Sequence, residues 1–474
     1  MPSMPSVATN LSELSAPPDG LTSGSPPEHA LPPSRVSEML QAAASKGVLD
    51  GDPDCVSDAP VAVFYDLDLV DKHVGALVAL FGNSFRHHAA VKSCPFPRML
   101  RHLHVRHGLG IECASLGEVL NGEKACGIPP SRIVFDSPCK TVKELRYTYS
   151  RGMHINLDNF DEYKRMLAVK AEVSTEASSS AVVGLRVNPL VGAGEIKELS
   201  VSTPDSKFGI PITAKAEILA AYQESPWLNS VHVHVGSGKM GMGTLSAGIR
   251  VAVELAQTIN STAGRAQITH VDIGGGLPAN YGSDAFDNGD SAPSYAKYAA
   301  HLREAVPELF SEEFTVVTEF GQSLFAKLGF LASRIEYLKR PGNIAIIHFG
   351  ADCCLRQAYT AAHGRRMEVY KSSGEEFASS SEEKFSVAGP LCFQGDFLTK
   401  DAPFPAELLV GDIVVLKDAG ANSLSLFSRH CSRFCPPAYG FRSTGTGHFE
   451  VIKPRETPES LINFWGGKMQ DAEA

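Results

Sequence analysis

From Pro60 onward the chain repeats one pattern, in which short apolar runs alternate with segments of helical period. That alternation is the mark of successive β-α units feeding a parallel sheet. Eight runs can be counted: Ala89 to Ser93, Leu109 to Ser115, Arg132 to Ser137, Met153 to Asp158, Ala181 to Asn188, Ser230 to Ser237, Ile268 to Gly276, and Phe314 to Gly321. Helical period fills the gaps at Leu116 to Cys126, Val142 to Ser150, Ala214 to Glu224, Leu245 to Ile259 and Ser294 to Val306. Eight such units predict an α/β fold, a closed (β/α)8 barrel of the TIM type, with an open doubly wound sheet as runner-up. One further run, Val61 to Asp68, precedes the eight and reads either as a helix lead-in or as a strand lent to another domain.

Beyond Lys339 the texture changes to apolar runs separated by turns, as in Asn343 to Phe349, Asp412 to Leu416 and Gly447 to Lys453. This predicts a C-terminal β-rich domain, a barrel or sandwich. The Ser- and Glu-dense stretch Ser372 to Lys384 reads as a solvated loop within it. The expected layout is a disordered tail over 1–35, a cofactor-binding barrel over 60–338, and a β domain over 339–474, with 36–68 a candidate source of one more strand.

Composition narrows the function. A length of 474 residues exceeds one ordinary core and so supports two domains. The formal net charge of -10, with Lys and Arg dispersed, lacks the basic stripe that a nucleic acid requires, so none is expected as a partner. No apolar run reaches the ~20 residues that cross a bilayer, so no membrane association is expected either. The N-terminus lacks a signal peptide's charged and apolar regions, and no Lys or Arg precedes Arg35. A cytoplasmic protein is therefore expected, with a plastid address left open. Ten cysteines lie scattered, and Cys431 and Cys435 beside His430 have no second ligand pair, so no metal is expected.

Barrel enzymes place chemistry at the carboxyl ends of their strands. Here those ends carry Lys92, Glu112 with Ser115, Asp136, Asn156 with Asp158, Arg186 with Asn188, His234 with Ser237, Asp272 before three glycines, and Glu319. An ammonium such as Lys92 at the end of an apolar strand is costly unless paired or deprotonated, and a deprotonated lysine is an amine nucleophile suited to a carbonyl cofactor. A snorkelling or salt-bridged lysine explains the position equally well. Gly274, Gly275 and Gly276 leave backbone amides open to a phosphate, or form a tight turn. His232 and His234 alternate, so both face one side, and a satisfied core histidine is the plain alternative for either.

Taken in order, the Lys92 segment Ala90-Val91-Lys92, Cys113 to Glu118, Ser206 to Gly209, His234 to Ser237, Gly274 to Gly276, Glu319 to Gly321, Gly389 to Cys392 and Asp418 to Ala421 make a specific set. The chain resembles the ornithine/diaminopimelate/arginine decarboxylase family from about Pro60 to about Tyr439, with 387–421 most similar to the diaminopimelate branch. The resemblance implies pyridoxal phosphate linked to Lys92. His234 would stack on its ring, Ser237 and the amides of Gly274, Gly275 and Gly276 would hold its phosphate, and Glu319 would face the pyridine nitrogen. It further implies an amino-acid substrate near Arg356 and Tyr359, and a homodimer with shared sites in which Cys392 reaches a partner's site to return a proton.

Three positions depart from that family's pattern. Gln322 stands where an Arg usually follows Glu-Pro-Gly, Asn422 where a Tyr usually follows Asp-Ala-Gly-Ala, and Phe393 where an acid usually follows the Cys. The last change removes the group that would meet a distal ammonium on the substrate. The expected activity is pyridoxal-phosphate-dependent decarboxylation of an amino acid, diaminopimelate decarboxylase-like but open to a non-standard substrate. The alternatives are a catalytically silent homologue that binds partners and regulates, and an amino-acid racemase.

Overall fold

The computed structural model describes residues 26–50, 59–194, 201–237, 240–359, 364–378, 381–444 and 447–469. Eight parallel strands form, seven of them within the predicted apolar runs: Phe85–Ala90, which is shifted, then Gly110–Cys113, Ile133–Asp136, His154–Leu157, Val182–Asn188, Ser230–His232, His270–Asp272 and Thr315–Phe320. His154–Leu157 pairs with Val182–Leu185, which closes the ring and removes the open-sheet alternative. A two-residue strand, Ile210–Pro211, adds to the end of the fifth.

The first run is displaced from its expected place. The strand covers Phe85–Ala90, and Val91–Ser93 is a 3-10 turn, so Lys92 stands just past the strand and not in it. Two histidines hid the strand's start. His87 and His88 are buried, and burial lowers each to a pKa of about 3, so both are neutral core residues. His87 Nδ1 shares a hydrogen bond with Thr318 Oγ1 of the neighbouring strand at 2.8 Å.

Two of the barrel helices start on caps visible in the sequence. Thr141 and Glu144 form a capping box for Val142–Tyr149, and the Asn159 side chain accepts from the Glu162 amide at the head of Phe160–Glu172. The helix predicted over Leu116 to Cys126 is α-helical only to Leu120 and widens to a π turn over Asn121–Ala125.

A second sheet stands beside the barrel. Its order is Phe397–Pro405, Glu382–Ala388, Ile344–Ile347, Gly329–Lys339, Val61–Asp66, Ala438–Arg442 and His448–Lys453, with Ile413–Leu416 joining Gly329–Lys339 to Met367–Tyr370. Val61–Asp66 is thus a strand of this sheet, buried throughout. It pairs antiparallel with Gly329–Lys339 and parallel with Ala438–Arg442. Part of the stretch read as a solvated loop, Glu382 to Lys384, instead opens a strand, though these three residues are exposed. Of the tail read over 1–35, residues 1–25 lie outside the described residues. Ala30 and Leu31 are buried, and the helix Pro33–Ser45 begins inside that range.

Candidate active site

The polar strand ends converge inside the barrel mouth. Lys92 Nζ is ion-paired with Oε2 of Glu112, which is itself fully buried. Half of the Lys92 side chain is open to solvent, so it is not packed into core. Burial pulls its pKa down, but Glu112, Glu319 and Asp136 outweigh that and hold the amine above the usual lysine range. Glu112 is shifted upward, by burial first, with Lys92 opposing. Glu112 is thus the carboxylate in direct contact with the Lys92 ammonium.

Asp136 anchors the next layer. Its Oδ2 accepts from Arg186 Nη1 at 3.0 Å, and its Oδ1 lies 3.8 Å from His232 Nδ1. Burial favours its neutral form, yet Arg186, His232, Lys140 and Lys92 together hold it ionised. The Arg186 guanidinium lies 4.6 Å from the centre of the Phe208 ring, and the Gly209 amide donates to Asp158 Oδ1 at 3.2 Å. The Ser206 to Gly209 motif therefore packs on this layer. His232 is fully buried between Asp136 and Glu319, with its Nε2 3.8 Å from Glu319 Oε2, and burial lowers its pKa to about 3.

His234 and the glycines form the next part. The Gly275 amide donates to His234 Nδ1 at 3.2 Å, and Nδ1 lies 3.8 Å from Glu319 Oε2. Burial and the charges of Arg186 and Lys92 push His234 well below its ordinary value, so its ring is neutral. The Gly274 amide donates to Asp272 Oδ1 at 2.9 Å, while Asn156 Nδ2 donates to Asp272 Oδ2 at 3.0 Å. A Cβ at Gly275 would stand 2.1 Å from Glu319 O, and one at Gly276 2.1 Å from Gly236 O, so this loop has no room for side chains. Ser237 follows, half-buried.

Glu319 is 4% exposed, and its Oε1 has no hydrogen-bond partner among the described residues. Burial, reinforced by Asp272, Glu112 and Asp136, raises it well above the carboxylate range. Asp272 rises to about 7, from burial first, against its hydrogen bonds to Asn156 and Gly274. A buried acid with an unpartnered oxygen, a solvent-open lysine and a side-chain-free loop beside a neutral imidazole fit a pyridine ring that bears a phosphate and a carbonyl.

The remaining predicted residues lie elsewhere. Arg356, on the short helix Leu355–Tyr359, lines a cleft with Tyr281, Cys354, Gln357, Arg365 and Asn422. The Tyr359 side chain lies outside the described residues. Cys392 is exposed on the loop after Glu382–Ala388, where its amide donates to Cys431 Sγ at 3.5 Å. Glu112, Asp136, Arg186, His232 and Asp272 had no assigned role in the sequence, although their places at strand ends were the signal. Tyr281 and Arg365 carried no signal.

The architecture and this constellation define a class, the barrel enzymes that work through a pyridoxal cofactor. Residues 67–326 match the family model described as pyridoxal-dependent decarboxylase, pyridoxal binding domain, and the chain belongs to that family. Its relatives include the diaminopimelate decarboxylase of Pseudomonas aeruginosa, 30% identical over 334 residues, or 69% of this chain and 74% of that one. The diaminopimelate decarboxylase of Helicobacter pylori is 27% identical over 358 residues, 74% of this chain and 82% of that one. In fold, the chain is similar to the crystal structure of Helicobacter pylori diaminopimelate decarboxylase complexed with L-lysine. The TM-score is 0.72 at 23% identity, covering 86% of this chain and 96% of that one. It is also similar to lysine decarboxylase from Selenomonas ruminantium, with a TM-score of 0.67 at 19% identity, covering 87% and 96%.

Proposed function

We propose that this protein is a pyridoxal-phosphate-dependent carboxy-lyase acting on an amino acid. The observation that carries the reading is Glu319, a buried acid whose Oε1 lacks a partner among the described residues and whose strand pairs with the one leading into a solvent-open lysine. Lys92 would hold the cofactor's carbonyl carbon, with Glu112 receiving the ammonium proton. His234 would pack its neutral ring against the cofactor's face. Ser237 and the amides of Gly274 to Gly276 would hold the phosphate, and Glu319 would keep a proton on the pyridine nitrogen. When bound, pyridoxal phosphate supplies the conjugated sink for the electron pair left at Cα as carbon dioxide departs. A proton must then return to Cα, and Cys392 of the partner subunit is the proposed donor.

That assignment is supported by the exposure of Cys392, which suits a thiol that serves a second copy. Phe393 beside it offers no charge to a distal ammonium, so the substrate is proposed to end in something other than a bare amine. Nine cysteines among the described residues are unpaired, consistent with a reducing cytoplasm. Among the described residues no helix is long and apolar enough to cross a membrane. The relatives named above are decarboxylases, which favours neither the silent homologue nor the racemase. The test is carbon dioxide release from a panel of amino acids by protein supplied with pyridoxal phosphate, wild type against Lys92→Ala. Release by the wild type alone supports the reading. No release, with no absorbance from a lysine-bound cofactor, overturns it.

A further inference from the structure

Of the departures from the family pattern, Asn422 lines one cleft and Gln322 bonds to a residue that lines it, and that cleft contains the groups they lack. Gln322 and Asn422 stand where a cation and a phenol would be expected. Gln322 Nε2 donates to Tyr281 Oη at 2.8 Å, and the Arg365 guanidinium lies 5.6 Å from the centre of the Tyr281 ring. A phenol and a cation are therefore present, carried by the chain after Gly274 to Gly276 and by the segment before Met367–Tyr370.

The cleft adjoins the nucleophile. The Asn422 amide donates to the carbonyl of Ser93, one residue past Lys92, at 3.0 Å. Arg365 is held in place by neutral acceptors: Ser423 Oγ at 2.9 Å, Ala421 O at 2.8 Å and Asn422 O at 3.4 Å. No ion pair between Arg365 and a carboxylate occurs among the described residues, so its charge is uncompensated there. Arg356 lines the same cleft, and burial together with the charge of Arg365 lowers its pKa. Two guanidiniums and a phenol beside the Lys92 turn make a receptor for an oxyanion, because planar N–H forks match phosphate and carboxylate geometry.

We propose that Arg365, with Tyr281, forms an anion subsite that takes over from the cation and phenol replaced by Gln322 and Asn422. Its occupant is an oxyanion, either the phosphate of pyridoxal phosphate or a carboxylate of the substrate. The inference rests on the functional reading above, and the test separates the two.

Cofactor-free protein is titrated with pyridoxal phosphate and, in parallel, with phosphate-free pyridoxal, following absorbance of the lysine-bound chromophore. Arg365→Gln, Tyr281→Phe and the double variant Gln322→Arg/Arg365→Gln are compared with wild type. If the phosphate is the occupant, Arg365→Gln weakens pyridoxal phosphate about tenfold or more, the scale of a lost charge-assisted contact, and leaves pyridoxal unchanged. If the occupant is a substrate carboxylate, cofactor affinity holds and KM rises by about the same factor at constant kcat. In either case the double variant recovers much of the loss, since it restores a guanidinium from another element, which a purely structural role for Arg365 would not allow. Equal losses for pyridoxal and its phosphate without rescue overturn the subsite, as does an unchanged Arg365→Gln. A wild type that binds neither ligand overturns the functional reading itself, and the subsite with it.

Discussion

Replacing Glu319 by Gln keeps the side chain's shape and removes its charge, and the structure predicts opposite effects on stability and rate. The carboxyl is buried beside Asp272, Glu112 and Asp136, and its pKa lies well above its ordinary value of 4.5. A raised acid binds a proton in the folded state that the unfolded chain has already released. Stability from this group is therefore full below pH 4.5 and is lost as pH rises through the folded value, at about 1.4 kcal/mol for each pH unit separating the folded and unfolded values. An amide in this place does not ionise, so cofactor-free Glu319→Gln is expected to melt above wild type at pH 8, by roughly 2–4 °C per kcal/mol. The gap should close towards pH 4.5. Activity should move the other way, because an amide cannot hold a proton on the pyridine nitrogen. Losing one charge-assisted hydrogen bond, about 1.5–3 kcal/mol, lowers kcat about ten- to a hundredfold. Calorimetry of the cofactor-free protein across pH 4.5 to 8 and carbon dioxide release at saturating cofactor read the two effects. A Glu319→Gln protein that melts below wild type at pH 8, or that keeps its kcat, refutes the reasoning.

Gly276→Ala places a Cβ against Gly236 O at a residue with φ +88°, so the loop must move. Strain at such a position costs about 1–3 kcal/mol, and a cofactor titration should show weakened phosphate binding even where the barrel still folds by circular dichroism. Mixing inactive Lys92→Ala with inactive Cys392→Ala tests the shared site. Random reassortment of a dimer leaves half of its members mixed, each with one intact site, so about a quarter of wild-type carbon dioxide release should return. No recovery after confirmed subunit exchange counts against Cys392 serving a partner.

The barrel was legible because buried parallel strands are written as apolar runs, and seven of the eight strands lie within those runs. The misplaced first strand shows the limit of that code. His87 and His88 look polar, but burial has made them neutral packing residues, and periodicity has no means of counting them as apolar. The residues at strand ends could be collected from the sequence, since barrel geometry sends them to one mouth. Their pairings could not: that Glu112 meets Lys92, or that Asp272 bridges Asn156 and the Gly274 amide, depends on which strands are neighbours and on side-chain reach. Tyr281 and Arg365 were beyond reading, because loops about 80 residues apart meet there only through tertiary packing.

The second sheet bears on the chemistry through these same contacts. Lys327, 2% exposed, donates to Asn280 O at 2.6 Å, Ser283 O at 2.7 Å and Asp418 Oδ1 at 3.1 Å. It thereby ties the chain after the glycine triplet to the Asp418 to Ala421 motif. Tyr65, on the strand Val61–Asp66, donates from Oη to Gly420 O at 2.7 Å, and the Asn422 amide reaches the turn that carries Lys92. A Cβ at Gly420 would come within 2.1 Å of Phe325 O, so the motif fits against the barrel at backbone distance. One strand of the second sheet precedes the whole barrel in sequence and others follow it, so the lysine turn and the glycine loop are braced from both ends of the chain. Which bond at Cα breaks depends on how the substrate is held against the ring plane, and small displacements are costly when reacting groups must be aligned. Bracing of this kind fixes the lysine and the glycine loop proposed to hold the phosphate against one scaffold, which is what discrimination between loss of a carboxylate and loss of a proton requires.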